Sequence, residues 1–341
     1  MIRPRLVATL VVGAMILSGW VLPAQAAVRC YERAGTIVGT AGKDILRGTR
    51  RADVIVARGG NDIIKGRGGK DRICAGPGND VIRGGGARDR ITGFLGSDRV
   101  YGGPGNDLLA GGEGDYYDEL FGEDGDDQLA DAGASNDSLL GGNGDDLLDA
   151  GAGGDQLSGE SGNDTLLGGA GSYDFLDGGD GSDTLRGGEG DFDWLEPGPG
   201  EDSLDGGPGA GDVAAYVRAD GPIAVSLQAG TATGSGTDSL TGLEDILGSP
   251  FNDTLTGDTG PNIIYDGYNG PSGADTILGL DGDDRVSAGG GNDTVDGGLG
   301  NDSLNGEVGD DSLDGGPGND ILDGGEGTDA CINGESDQNC E

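Results

Sequence analysis

The chain has 341 residues, 78 of them glycine, with 62 acidic against 20 basic side chains, no histidine and a formal charge of −42. Without histidine, histidine-dependent triads and zinc-protease motifs are excluded, and so acidic a chain is a poor partner for nucleic acid. The glycines have no Gly-X-Y period, which excludes collagen, and apolar residues recur in step with them, which argues against disorder.

In chain order, residues 1–26 read as a cleaved export leader. Arg3 and Arg5 precede an apolar run from Leu6 to Leu22, and Ala24-Gln25-Ala26 supplies small residues for cleavage. The competing reading is a membrane anchor; no later stretch could cross a bilayer. The expected product is secreted, with retention at the cell surface as a variant. Residues 27–35 form an amino-terminal cap segment.

From about Thr36 a nonapeptide takes over. Asp44, Asp53, Asp62, Asp71, Asp80, Asp89, Asp98 and Asp107 stand nine residues apart, and Gly102-Gly103-Pro104-Gly105-Asn106-Asp107-Leu108-Leu109-Ala110 shows one copy cleanly. A fixed period means one structural unit stacked many times. At the eighth position stand Leu46, Ile55, Ile64, Ile73, Ile82, Ile91, Val100 and Leu109, then Leu129, Leu148, Leu157, Leu166, Leu185 and Leu204. One inward aliphatic per nine residues suffices for a stacked coil but not for a globule. After Asp107 the spacing loosens, with extra residues around Tyr116-Tyr117, Ser135-Asn136, Tyr173 and Phe192. Such insertions are expected in turns, where they disturb stacked strands least. The rings of Tyr116, Tyr117, Tyr173, Phe175, Phe192 and Trp194 either shield bulged turns or offer platforms to a carbohydrate.

The first block closes at residue 212. Residues 213–247 break the pattern and predict a β-rich insertion: Val213–Val217 and Ile223–Leu227 alternate like strands, with Asp220-Gly221-Pro222 as the turn between them. A second block covers 248–332 with Asp253, Asp275, Asp284, Asp293, Asp302, Asp311, Asp320 and Asp329. In one copy Asn262 takes the Asp position, and that site should be weaker. Residues 333–341 form a carboxy-terminal cap with cysteine.

The repeat has the chemistry of a calcium turn. Glycine lets carbonyls converge, aspartate adds anionic oxygens on a short tether, and calcium accepts such mixed sets. Two nonamers make one 18-residue coil, so Asp62 lies next to Asp80, and Asp71 next to Asp89, with an ion between. Bound metal would also cancel repulsion along the acidic stack, which predicts a chain that orders when calcium arrives. Candidate ligands are the side chains of Asp44, Asp62, Asp80, Asp98, Asp107, Asp127, Asp146, Asp155, Asp164, Asp183, Asp202, Asp253, Asp284, Asp293, Asp302, Asp311 and Asp320. Turn carbonyls such as those of Gly103, Gly105, Gly142, Gly144, Gly298, Gly300, Gly316 and Gly318 join them. Charge is uneven: residues 28–100 carry 15 bases and 8 acids. Arg50, Arg51, Lys70, Arg72, Arg88 and Arg90 crowd Asp53, Asp71 and Asp89, so weaker metal binding is expected there. Ala87, in place of a turn glycine, adds to that expectation at Asp89. The basic end is also a candidate holder of an anionic cell-wall polymer.

All four cysteines fall in the mature part. Many coils of about 4.8 Å each would separate the ends of a continuous roll. Of the three possible pairings, Cys30–Cys74 and Cys331–Cys340 are therefore expected, and their spacing does not suit zinc.

These nonamers resemble the RTX, or hemolysin-type, calcium-binding repeats, over about Thr36 to Asp329. The resemblance implies an all-β, right-handed parallel β-roll in which stacked turns coordinate several calcium ions. The leader and the cysteines resemble exported actinobacterial repeat proteins more than RTX toxins. The array fills the mature sequence, and a non-catalytic calcium-binding protein with a structural or surface role is expected. The alternatives are a carbohydrate-binding or adhesion module and, further off, a polysaccharide-modifying enzyme.

Overall fold

The computed structural model describes residues 29–267 and 273–340; the leader assigned to residues 1–26 lies outside them. Among the described residues there is no helix. The chain winds as a parallel β-solenoid of about 16 turns, each contributing a short strand to each of two sheets. Ile45–Arg47 pairs in parallel with Ile63–Gly68, which pairs with Val81–Gly86. On the facing sheet, Val54–Val56 pairs with Arg72–Cys74, and that strand with Arg90–Phe94. Successive nonamers thus alternate between sheets, and a repeat stacks on the one two copies later, as the period predicts.

Side-chain alternation then builds the core. The eighth-position residue of each repeat points between the sheets: Ile64, Ile82, Ile91, Leu109, Leu148, Leu185 and Leu313 are all fully buried. Leu46, at the amino-terminal end, is only partly covered. Residues that a strict nine-residue count misses, including Leu120, Leu139, Leu176, Leu195, Ile246 and Ile277, fill the same column. The insertions shift sequence position without shifting register, because the extra residues stay in the turns. Leu120 still pairs opposite Leu139, and Leu176 opposite Leu195. Tyr173 and Phe192 absorb their insertions with φ of 69° and 64°.

The rings stack coil on coil. Tyr173 lies 5.5 Å from Phe192, Phe175 6.1 Å from Trp194, and Tyr101 4.7 Å from Phe121. Phe175 and Trp194 are strand neighbours, whereas Tyr173 and Phe192 sit in the turns and remain substantially exposed.

Residues 213–247 hold a β-hairpin, but not the one the alternation suggested. Val213–Ala215 stays in the first sheet, between Trp194–Glu196 and Asp245–Leu247. Ala224–Ser226 lies in the other sheet and pairs antiparallel with Thr231–Thr233, which pairs antiparallel with Thr237–Thr241. Both outer strands of this excursion also continue the parallel stack, toward Thr254–Thr256 and Ser203–Asp205. The physical reason is that Ala214, opposite Leu195, carries on the inward column of the repeat before it. Asp220-Gly221-Pro222 therefore connects the two sheets rather than two paired strands. Arg218 ties the excursion to the first block through Asp177 at 2.5 Å and Glu196 at 3.3 Å.

Both ends are closed covalently, by Cys30–Cys74 and Cys331–Cys340, with Cα separations of 5.6 and 5.7 Å. Arg29–Cys30 and Arg33–Ala34 make a small antiparallel ribbon over the outward-facing Val54, Val56 and Cys74. Cys331 stands opposite Leu313, in the column of inward aliphatics.

Candidate metal centre

The ladder begins with the backbone. Each repeat aspartate donates its N–H to the Oδ1 of the aspartate one coil further on: Asp62 to Asp80 at 2.6 Å, Asp71 to Asp89 at 2.8 Å, Asp284 to Asp302 at 2.9 Å. Its own carbonyl accepts the N–H of the residue after that partner, as Val81 donates to the Asp62 carbonyl at 3.0 Å. Two such ladders run along the roll, one beside each sheet. The first joins Asp44, Asp62, Asp80, Asp98, Asp118, Asp137 and Asp155, and continues to Asp212. The second joins Asp53, Asp71, Asp89, Asp107, Asp127, Asp146, Asp164, Asp183 and Asp202. In the second block Asp253, Asp275, Asp293, Asp311 and Asp329 form one series. Asn262, Asp284, Asp302 and Asp320 form the other.

The second carboxylate oxygen is what matters. The Oδ2 atoms of Asp62, Asp80, Asp107, Asp146, Asp183 and Asp302, among many others, are buried and accept no hydrogen bond. An isolated buried anionic oxygen is strongly unfavourable. Each points at the first glycine of its own turn. A Cβ on Gly102 would lie 2.5 Å from Asp107 Oδ2 and 2.9 Å from the carbonyl of Gly122 in the next coil. At Gly178 the same two kinds of atom, from Pro197 and Asp183, lie at 2.5 and 2.6 Å. A carboxylate oxygen and a carbonyl oxygen from adjacent coils thus converge where a side chain has been left out. The glycine at the fourth position has a different task. At φ 146° Gly105 packs so closely on the previous coil that a Cβ would sit 2.6 Å from the Ala87 carbonyl carbon. Ala87 itself takes φ 80°, a conformation costing a non-glycine residue roughly 1–2 kcal/mol.

Burial disfavours the ionised form. Desolvation first, and neighbouring carboxylates second, push Asp80, Asp146 and Asp183 up to about 7, and Asp89 and Asp98 up to about 8. Backbone N–H donors oppose the shift without cancelling it. A hard divalent cation would reverse this balance, since carboxylate and carbonyl oxygens are the set calcium accepts.

Not every rung offers that oxygen. Asp44 Oδ2 accepts from Thr40 N–H at 2.6 Å and its hydroxyl at 2.9 Å, and Asp53 Oδ2 from Thr49 in the same way. Asp253 is held by the Ser249 N–H and hydroxyl, at 2.7 and 2.8 Å. Asn262 Oδ1 accepts from Asp258 N–H, and its amide donates to the Glu244 carbonyl. The opening coil of each block therefore closes its turns with its own donors. Asp44, placed among the full candidate ligands by sequence, has its Oδ2 engaged by two donors, whereas Asp253 Oδ2 takes only the Ser249 N–H and still faces the gap over Gly248. Asp53 is engaged too, through Thr49 rather than through the neighbouring arginines.

Of the cations near Asp71 and Asp89, Arg90 is directed to the cap. The Arg90 guanidinium lies 3.9 Å over the ring of Tyr31 in the cap, and the charges that act on Asp89 are those of Asp107 and Asp71. Sequence counting also passed over Asp118, Asp137, Asp174, Asp193 and Asp212, buried members of the same ladder. Their signal was the Asp-x-Leu or Asp-x-Ala that follows each insertion.

A family model described as the RTX calcium-binding nonapeptide repeat (4 copies) matches residues 38–73 and, in overlapping segments, 75–191, then 247–268 and 270–331. The chain belongs to that family. The matched segments leave 192–246 aside, the region that contains the antiparallel excursion. No curated protein matches the chain. The RTX repeats here are calcium-binding repeats, with acidic side chains placed to hold ions.

Proposed function

We propose that this protein is an exported, non-catalytic calcium binder whose RTX roll forms only when several ions occupy the ladder, and that it serves a structural or cell-surface role. One observation carries the reading: a file of buried Oδ2 atoms without donors, each facing a carbonyl of the next coil across a glycine gap. Calcium between adjacent turns would turn mutual repulsion along the file into shared attraction. Asp62, Asp80, Asp98, Asp107, Asp127, Asp146, Asp155, Asp164, Asp183, Asp202, Asp284, Asp293, Asp302, Asp311 and Asp320 supply the side-chain oxygens. A chain with no histidine and with its carboxylates committed to stacking has little left for catalysis. The two disulfides suit an oxidising compartment, in keeping with a leader at residues 1–26, and no helix is long and apolar enough to cross a membrane among the described residues.

A second reading rests on the exposed, stacked Tyr173 and Phe192, which present flat rings of the kind that hold sugars. Calcium titration followed by circular dichroism tests the first reading. Strand signal should rise cooperatively with calcium, should fail to rise with equal magnesium, and should be abolished by chelator. A spectrum indifferent to calcium sinks it. Calcium-dependent, saturable retention on polysaccharide that is lost in Phe192→Ala would favour the second.

A further inference from the structure

At two places the ladder departs from its own rule. In an ordinary turn the gap over the first glycine is faced by one carboxylate and one carbonyl, as at Gly102. At Gly111 it is faced by two carboxylates: Asp118 Oδ2, 2.5 Å from the position of a Cβ, and Asp131 Oδ2, closer still. Asp131 follows strand Gln128–Ala130, where its repeat would carry the first glycine, and its side chain reaches back into the previous turn. Its Oδ1 accepts the N–H of Gly133 at 2.7 Å. Its Oδ2 is buried and accepts no hydrogen bond, and the residue as a whole is 7% exposed. Asp137, from the same coil as Asp131, brings a third carboxylate, whose oxygens share the Ser135 hydroxyl at 3.0 and 3.2 Å, so that three oxygens lie within 4.8 Å of one another.

The second block repeats the arrangement. Asp266 follows strand Ile263–Tyr265 at the same repeat position, and Asp266 Oδ1 and Asp253 Oδ2 both face the gap over Gly248. Asp275 completes a buried group of three. Both deviations replace a neutral carbonyl oxygen with an anionic one at the same point of the repeat. A substitution that merely disturbed the turn would have no reason to aim a carboxylate into the gap twice.

We propose that Asp118, Asp131 and Asp137 form a calcium site tighter than the ladder sites, and that Asp253, Asp266 and Asp275 form its counterpart in the second block. The inference rests on the ladder reading but goes beyond it, because it singles out which ions bind first. Added ligand charge is the means by which oxygen sites gain affinity for calcium. Each block would then hold one ion at concentrations that leave the rest of its ladder empty, fixing two adjacent coils as a start for winding.

The test is competition between the metal-stripped full chain and a chromophoric calcium chelator, which counts ions in each affinity class. The parent should show a small tight class and a larger weak one. Asp131→Asn should remove one ion from the tight class. Asp131→Gly, which restores the repeat, should convert that ion into a weak one, with affinity lowered by roughly tenfold or more. Asp131→Gly combined with Asp266→Gly should abolish the tight class and add two ions to the weak one, while leaving the calcium-saturated circular dichroism spectrum intact. A single affinity class in the parent, or a tight class untouched by both Asp131 substitutions, overturns the proposal and leaves the ladder standing. A parent that takes up no calcium overturns both.

Discussion

Stripping the metal and lowering the pH should fold the roll that stripping alone unfolds. Burial pushes many of the ladder carboxylates up from an ordinary 3.8, to about 6 at Asp164, about 7 at Asp146 and about 8 at Asp98. Between those limits the folded chain binds more protons than the unfolded one. Protonation therefore favours the roll; the contribution is complete below about pH 4 and is lost as pH rises through 6 to 8. Each pKa unit corresponds to about 1.4 kcal/mol. Crediting only one unit to each of about a dozen rungs already gives roughly 17 kcal/mol, as large as the whole stability of a domain. Calcium acts with the opposite slope, because it needs the deprotonated oxygens and releases protons on binding. In chelator, strand circular dichroism and protease resistance should increase from pH 7.5 to pH 5, while the calcium-loaded protein should weaken over the same range. Stopping at pH 5 keeps the chain above its isoelectric point of about 4.1. Parallel pH slopes with and without calcium would refute the reasoning, for they would mean that protons and metal do not compete for the same oxygens.

Two further outcomes follow from the turn geometry. Gly178→Ala, whose methyl would fall 2.5 Å from the Pro197 carbonyl and 2.6 Å from Asp183 Oδ2, should cost roughly 1–3 kcal/mol in calcium-loaded urea unfolding. Gly86→Ala meets nothing within 4 Å and should be neutral or slightly stabilising; equal effects would show that the gap is not tightly built. Asp146→Asn should lower the calcium stoichiometry measured by equilibrium dialysis, since it neutralises an oxygen without a donor. Asp53→Asn should not, because Thr49 already occupies the corresponding atom; a loss at Asp53 equal to that at Asp146 would contradict this.

The nine-residue ruler was enough to establish the solenoid, its aliphatic column and its pairing of every second repeat. All three follow from the alternation of side chains along a strand, a local property that survives stacking. The disulfides were legible for the same reason, since coil count sets how far apart the ends must be. Where the ruler slipped, register could not be counted through a bulge, so Asp118, Asp137, Asp174, Asp193 and Asp212 were lost until their strands were seen to pair. The hairpin was misassigned because alternation shows that Val213–Ala215 and Ala224–Ser226 are strands but not which sheet each joins.

Donor satisfaction was settled by the folded turns. Thr40, Thr49 and Ser249 close their own turns from four residues away. That Arg90 lies over Tyr31, and that Asp131 and Asp266 reach back into a neighbour's glycine gap, depends instead on which atoms meet across coils. Residues that meet this way are mostly 18 to 22 positions apart. Periodicity determined that a ladder of carboxylates exists. Only the folded turns decided which of its oxygens are left for a metal, because that depends on the donors that each aspartate's own turn and the next coil bring within reach.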